Sequence, residues 1–221
     1  MMPLADLRKT TNRPLVLIDE AHFNYQLVEA SDKPFAAFLQ ESGYRVSSLT
    51  VPFEKESLDT GQVLIIAMPL AERNRIHGNP DTGMTEDWSL PNPSAFSDHE
   101  IAVIKSWVVD GGSLLVIFDH MPFAGAVAEL ARAFGIEVSN GHARDSVTGP
   151  MIFSRSNGTL TDHVITNGIS PAKRIESVAM AARHFLGRPG CSLRLLGRFL
   201  NVTIAATTVG QVSQSRIRSC Y

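Results

Sequence analysis

The sequence predicts an α/β protein built on a doubly wound parallel sheet, and two observations carry that prediction. Short apolar runs lie at 14–18, 63–67 and 114–118, and 44–49 and 136–138 read as further strands. Runs of this kind read as strands buried on both faces. Between several of them lie stretches with apolar residues at helical spacing, and strands that alternate with helices form parallel sheets. With 44% hydrophobic residues, the chain has the composition of an ordinary globular protein.

Each element has a local reason. Residues 14–18 form strand one. Asp32 can cap a helix with Pro34 in its first turn, where a missing N–H costs nothing. Phe35, Phe38 and Leu39 mark its apolar face and Gly43 its end. Tyr44–Leu49 and Val63–Ala67 are strands two and three. Residues 70–96 are rich in Pro, Gly, Asn and Asp without apolar periodicity, and read as a long loop of the kind that serves as a lid. Ser97 and Glu100 form a capping box for a helix through Ile101, Ile104, Lys105 and Val108, which Gly111-Gly112 stops. Leu114–Phe118 is strand four, 123–134 a helix, and Ile136–Val138 a fifth strand. Met151–Phe153 and Arg174–Ala179 read as antiparallel edge pieces. The expected sheet order is 2-1-3-4-5.

Charge divides the chain at 176. All 22 acidic residues lie in 1–176, whereas 177–221 holds six bases, all Arg, and both cysteines, Cys191 and Cys220. The expected organisation is therefore an α/β domain at 1–176 and an irregular basic extension at 177–221. That extension is either an interaction segment or the truncated or frame-shifted end of a longer parent. In the second case an exposed sheet edge would favour homo-oligomers. Two widely spaced cysteines make neither a zinc nor a redox motif.

A net charge of -2 gives no reason to expect a nucleic-acid or membrane partner. No stretch approaches the ~20 apolar residues of a membrane span, and no signal peptide is evident, so a soluble cytoplasmic protein is expected. Asn157-Gly158-Thr159 and Asn201-Val202-Thr203 match the glycosylation pattern and read as chance.

Chemistry-bearing residues gather at two strand ends. Strand one runs into Asp19-Glu20-Ala21-His22 and strand four into Asp119-His120. Parallel sheets bind ligands just beyond the carboxyl ends of their strands. Asp19, His22, Asp119 and His120 are thus candidate ligands for zinc or calcium. A bound metal would acidify a water, with Glu20 as general base and Asp119 and His120 as further catalytic candidates. The simpler reading is that Asp19 and Asp119 accept backbone N–H groups at tight turns and that the histidines bond locally. Met121 and Gly125 in the turn after strand four, Asn140 and His142 after strand five, and Trp88 in the long loop are candidate substrate contacts. For Asn140-Gly141-His142 the simpler reading is an ordinary turn. Residues after Pro122 could cradle an anion or simply begin a helix.

Gly111-Gly112-Ser113-Leu114-Leu115-Val116-Ile117-Phe118-Asp119-His120 resembles the class I glutamine amidotransferase-like superfamily, and more closely its non-amidotransferase branches, the ThuA-like and GldG-like domains. The resemblance covers roughly 14–140. It implies a flavodoxin-like fold with a site after strand four. Amidotransferases carry a cysteine nucleophile in that turn. Here the turn reads Asp119-His120-Met121-Pro122 and 1–176 has no cysteine, so a glutaminase is excluded. No Gly-x-Ser-x-Gly elbow or P-loop is present, and acids follow strand one where a dinucleotide site needs glycines. No nucleotide or flavin is therefore expected.

Two functions remain open at this level. One is a metal-assisted hydrolase of a small carbonyl substrate such as an ester, lactone or amide. The other is a non-catalytic amidotransferase-like domain that binds a sugar or a protein partner.

Overall fold

Leu15–Asp19 is buried along its whole length, as a strand between two helical layers must be. The computed structural model describes residues 13–25, 28–29, 33–79, 83–141, 151–168, 170–180, 194–195 and 202–206. Two compact units emerge, one of 1–142 with 190–221 and one of 143–189.

In the first unit the elements are β1 (Leu15–Asp19), α1 (Lys33–Glu41), β2 (Arg45–Leu49), α2 (Lys55–Leu58) and β3 (Val63–Ala67), then β4 (Arg75–Asn79) and β5 (Gly83–Glu86). They continue with α3 (Asp98–Val109), β6 (Ser113–Phe118), α4 (Phe123–Ala133) and β7 (Ile136–Glu137). The second unit holds β8 (Met151–Ser154), α5 (Val164–Asn167) and β9 (Ser177–Met180). The chain then returns to the first unit as β10 (Arg194–Leu195) and β11 (Val202–Ala206).

The α/β class with a parallel sheet flanked by helices is as expected. The sheet has five parallel strands in the order β11-β6-β3-β1-β2. Its fifth strand is not the expected one. Residues 136–137 pair antiparallel with β10 in a separate ladder, and Val202–Ala206 lies beside β6 instead. Two residues are too few to span a sheet edge, whereas β11 matches β6 from Leu114 to Phe118. Val202–Ala206, within the expected extension, is thus a strand of this sheet.

Alternation along the strands splits the core in two. Leu15, Leu17, Leu64, Ile66, Leu114, Val116 and Phe118 face α3 and α4 through Ile104, Trp107, Phe123, Val127 and Leu130. Val16, Ile18 and Ile65 face the other way, against Ala36, Phe35 and Leu39 of α1. β6 alternates buried and half-buried, so its second face is less covered than the apolar run suggested. The Ser97–Glu100 capping box forms as expected. Gly111 takes φ +112, a left-handed turn that only glycine adopts without strain.

The expected loop at 70–96 contains structure. β4 and β5 pair antiparallel within it. The sequence hid this hairpin because its strands, Arg75-Ile-His-Gly-Asn and Gly83-Met-Thr-Glu, carry no apolar alternation. The cap expected from Asp32 lies outside the described residues.

Taken by itself, the second unit is an antiparallel β8–β9 hairpin organised by Arg155. Its guanidinium donates to Ile175 O at 2.9 Å, Asp162 at 2.6 Å and Asn167 at 2.8 Å.

Candidate functional site

At the end of β1 the structure builds a closed polar network. Asp19 is fully buried and His22 is 7% exposed. His22 Nδ1 lies 2.8 Å from Asp19 Oδ1, and its Nε2 lies 2.8 Å from Glu100 Oε1. Phe53 and Phe96 cover the imidazole, with centroids 4.6 and 4.8 Å from it. Glu100 also accepts from Phe53 N at 3.1 Å and from Ser97 N at 3.0 Å. One carboxylate therefore caps α3, holds the loop after β2 and anchors the histidine.

Burial works against a charge on His22, but the hydrogen bonds and negative charges of Asp19 and Glu100 outweigh it and raise its pKa. Burial likewise pushes Glu100 up, and hydrogen bonds from Ser97, His22 and Phe53 outweigh it and lower its pKa. In its protonated form the imidazolium donates both N–H groups, one to each carboxylate.

Asn24 completes the network. Its Oδ1 accepts from His22 N at 3.1 Å, and its Nδ2 donates to Asp19 Oδ2 at 3.0 Å and to Ala67 O at 3.1 Å. Leu70 N donates to His22 O and Tyr25 N to Met68 O, at 2.9 and 3.0 Å. These bonds stitch together the loops after β1 and β3. In this strand order the chain reverses its direction of sheet growth between those strands, which is where open α/β sheets bind ligands. Here that crevice is filled. Phe23 and Met68, on either side of it, hold φ of 48° and 50°. Bulky residues in that region cost about 1–3 kcal/mol each and persist only where their surroundings hold them.

Of the residues expected as metal ligands, Asp19 and His22 meet at the end of β1, whereas Asp119 and His120 lie together at the end of β6. Both ring nitrogens of His22 face carboxylates at hydrogen-bond distance. Among the described residues, no three His, Cys, Asp or Glu side chains are grouped to hold a metal ion. Glu20, expected as general base, accepts Val28 N at 2.7 Å and ties its own loop. Asp119 accepts His120 N at 2.8 Å, the turn role given as the simpler reading.

A second, more open group lies at the end of β6. The His120 ring packs against Trp88 with centroids 4.3 Å apart and planes tilted by 37°, and Phe123 lies 6.1 Å from it on α4. Tyr25, 46% exposed, meets Phe123 edge-on at 6.5 Å. Trp88 Nε1 donates to Glu86 Oε1 at 3.4 Å. Trp88 is thus fixed against the sheet end by the β4–β5 hairpin. Met121, half-buried, donates its N–H to Gly141 O at 3.0 Å. Asn140 Nδ2 donates to Asn92 Oδ1 at 2.7 Å, while Asn140 Oδ1 is buried without a partner among the described residues.

Gly125 was expected to admit a ligand, but protein fills its free space. A Cβ there would lie 2.7 Å from Asn92 Cβ and 3.0 Å from Asn140 Cγ. Of the N–H groups after Pro122, Ala124 N donates to His120 O and Ala126 N to Pro122 O, as at an ordinary helix start. His142 lies outside the described residues.

Of the residues singled out in the sequence, the structure places Trp88 against His120 and Met121 against Gly141, the neighbour of Asn140. Sequence reasoning missed Asn24, Asn92, Phe53, Phe96 and the site role of Glu100. Asn24, five residues after Asp19, offered a local signal. Glu100 was visible only as a helix cap.

No family model and no curated protein matches the chain. Among solved structures, the mmIFT52 N-terminal domain superposes with a TM-score of 0.51 at 15% identity, covering 82% of this chain and 68% of that one. Identity that low reports a shared fold and bears on neither activity nor the amidotransferase resemblance. Among the described residues, no helix is long and apolar enough to cross a membrane.

Proposed function

We propose that this chain is a non-catalytic α/β binding domain that takes a sugar at the carboxyl end of β6, on a flavodoxin-like sheet whose fifth position is filled by β11. One observation carries the reading. The acid–imidazole group that a hydrolase would use at β1 is a closed internal network, with both His22 nitrogens committed to carboxylates. What stays accessible is a half-buried Trp88–His120 pair with Asp119, Asn92 and Asn140 nearby in the fold. An aromatic face beside carboxylate and amide groups suits a sugar ring, which presents an apolar C–H face and hydroxyl edges.

The hydrolase remains the competing reading through Asp119 and His120 alone, since both are half-buried at a strand end. Titration calorimetry against a panel of mono- and disaccharides tests the proposal, beside turnover of esters and lactones with and without chelator. Saturable sugar binding that Trp88→Ala abolishes, without turnover, supports it. Chelator-sensitive turnover overturns it in favour of the hydrolase. Absence of both, with capture of a defined protein, moves the site to the protein-partner alternative.

A further inference from the structure

Three Asn-Gly pairs occur in the chain, at 140–141, 157–158 and 167–168. Asparagine before glycine is the sequence at which a backbone nitrogen most easily reaches the preceding side-chain carbonyl, because glycine carries no Cβ to obstruct it. The structure gives the three asparagines different surroundings.

Asn157 is exposed, in the turn between β8 and α5. Its Oδ1 accepts three hydrogen bonds, from Thr159 N at 3.0 Å, Thr159 Oγ1 at 2.5 Å and Ser154 N at 3.3 Å. Asn140 is the opposite case, half-buried with an Oδ1 that has no donor among the described residues. Asn167 is half-buried and its Oδ1 accepts from the Arg155 guanidinium at 2.8 Å. Gly168 beside it is hemmed in, and even a Cβ there would meet Lys173 O at 2.4 Å. Gly158 has open space around it.

We propose that Asn157 is a site of spontaneous, self-catalysed deamidation, favoured over the other two pairs. The Gly158 nitrogen loses its proton to solvent base and attacks Asn157 Cγ, forming a new C–N bond. The electron pair of the side-chain carbonyl moves onto Oδ1. Three donors already aimed at that oxygen bind the oxyanion more tightly than the neutral carbonyl, which is the condition for lowering a barrier. The pair then returns and the Cγ–Nδ2 bond breaks, with nitrogen leaving as ammonia after taking a proton from water. Water opens the resulting succinimide at either carbonyl, to aspartate or isoaspartate. The net change is addition of one water and loss of one ammonia, with no other reactant.

Two interactions oppose the reaction. Gly158 N donates to Arg155 O at 3.1 Å, a turn bond that must open before attack, and the leaving Asn157 Nδ2 donates to Ile152 O at 3.4 Å. Opening the turn bond exposes no core, because Ser156, Asn157 and Gly158 are all exposed. Each event adds a negative charge beside Ser154 and Ser156.

The test is peptide mapping by mass spectrometry on the full chain, held over time in mildly alkaline buffer. The expected result is conversion at Asn157 several-fold faster than at Asn140 or Asn167. Thr159→Val, which removes the hydroxyl donor, should slow Asn157 several-fold and leave the other two unchanged. Thr159→Ser, which keeps it, should retain the parent rate. Conversion at Asn157 no faster than at both other pairs overturns the proposal, as does an equal rate in the Val and Ser variants.

Discussion

His22 Nε2 and Glu100 Oε1 lie 2.8 Å apart across 78 positions of sequence. The contact joins the turn after β1 to the first turn of α3. Because Glu100 also holds Phe53 N, it brings in the loop after β2 as well. Three connections at the carboxyl edge of the sheet therefore converge on one histidine.

Stability should peak in mildly acidic solution. His22 has a raised pKa in the folded chain, so its contribution is complete below the ordinary imidazole value and is lost as pH rises through the folded one. Glu100 has a lowered pKa, so its contribution is complete above the ordinary carboxyl value and is lost as pH falls through the folded one. Both are present together only between the two ordinary values, about pH 4.5 to 6.5. Urea midpoints measured across pH should be highest in that window. In His22→Gln the decline on the alkaline side should disappear.

Removing the imidazole should cost far more than a surface change. His22→Ala leaves the Asp19 and Glu100 carboxylates buried without their shared cation. Breaking a buried pair in this way costs about 3–5 kcal/mol. Asn24→Ala, which removes two donors from the same network but no charge, should cost about 1–3 kcal/mol. Denaturant unfolding of the two variants orders them, and an equal cost would mean that His22 is neutral in the folded chain.

How much of this was legible in the sequence follows from the range of each interaction. β1, β3 and β6 were readable because an unbroken apolar run marks a strand, although in β6 it overstated the burial of one face. The Ser97–Glu100 cap was readable because its partners are three residues apart. The contact of Glu100 with His22 was not, since nothing local distinguishes a carboxylate that only caps a helix from one that also serves a distant histidine. The place of Val202–Ala206 beside β6 was equally hidden, because strand order is set by tertiary pairing. Asp19 and His22 were legible as chemistry-bearing residues, but acid and imidazole at a strand end look alike in sequence whether they bind a metal or each other.

The Trp88–His120 pair gives a functional prediction separable from stability. Trp88 is half-buried, donates to Glu86 and packs against His120. Trp88→Ala should therefore lower stability by no more than the roughly 0.5–1.5 kcal/mol of an aromatic pair plus some buried area. It should weaken sugar binding by at least tenfold, since about 1.4 kcal/mol of lost stacking suffices for that. Calorimetry and unfolding on the same preparation separate the two effects. A variant that loses stability but keeps its affinity would place the ligand elsewhere.

Gly125→Ala decides between two opposed effects inside α4. Alanine favours a helix interior over glycine by about 1 kcal/mol. The new methyl, however, would sit 2.7 Å from Asn92 Cβ and 2.9 Å from Asn92 O. A backbone oxygen cannot swing aside as the end of a flexible side chain can, so the segment around Asn92 must shift. Overpacking of that kind costs about 1–3 kcal/mol, which outweighs the helical gain. The same shift pulls Asn92 Oδ1 away from Asn140 Nδ2, and with it the amide pair proposed to face the sugar. Gly125→Ala should thus be destabilised by up to about 2 kcal/mol in denaturant unfolding and should bind sugar more weakly. A variant more stable than the parent would show that Asn92 yields freely and that glycine is not required there.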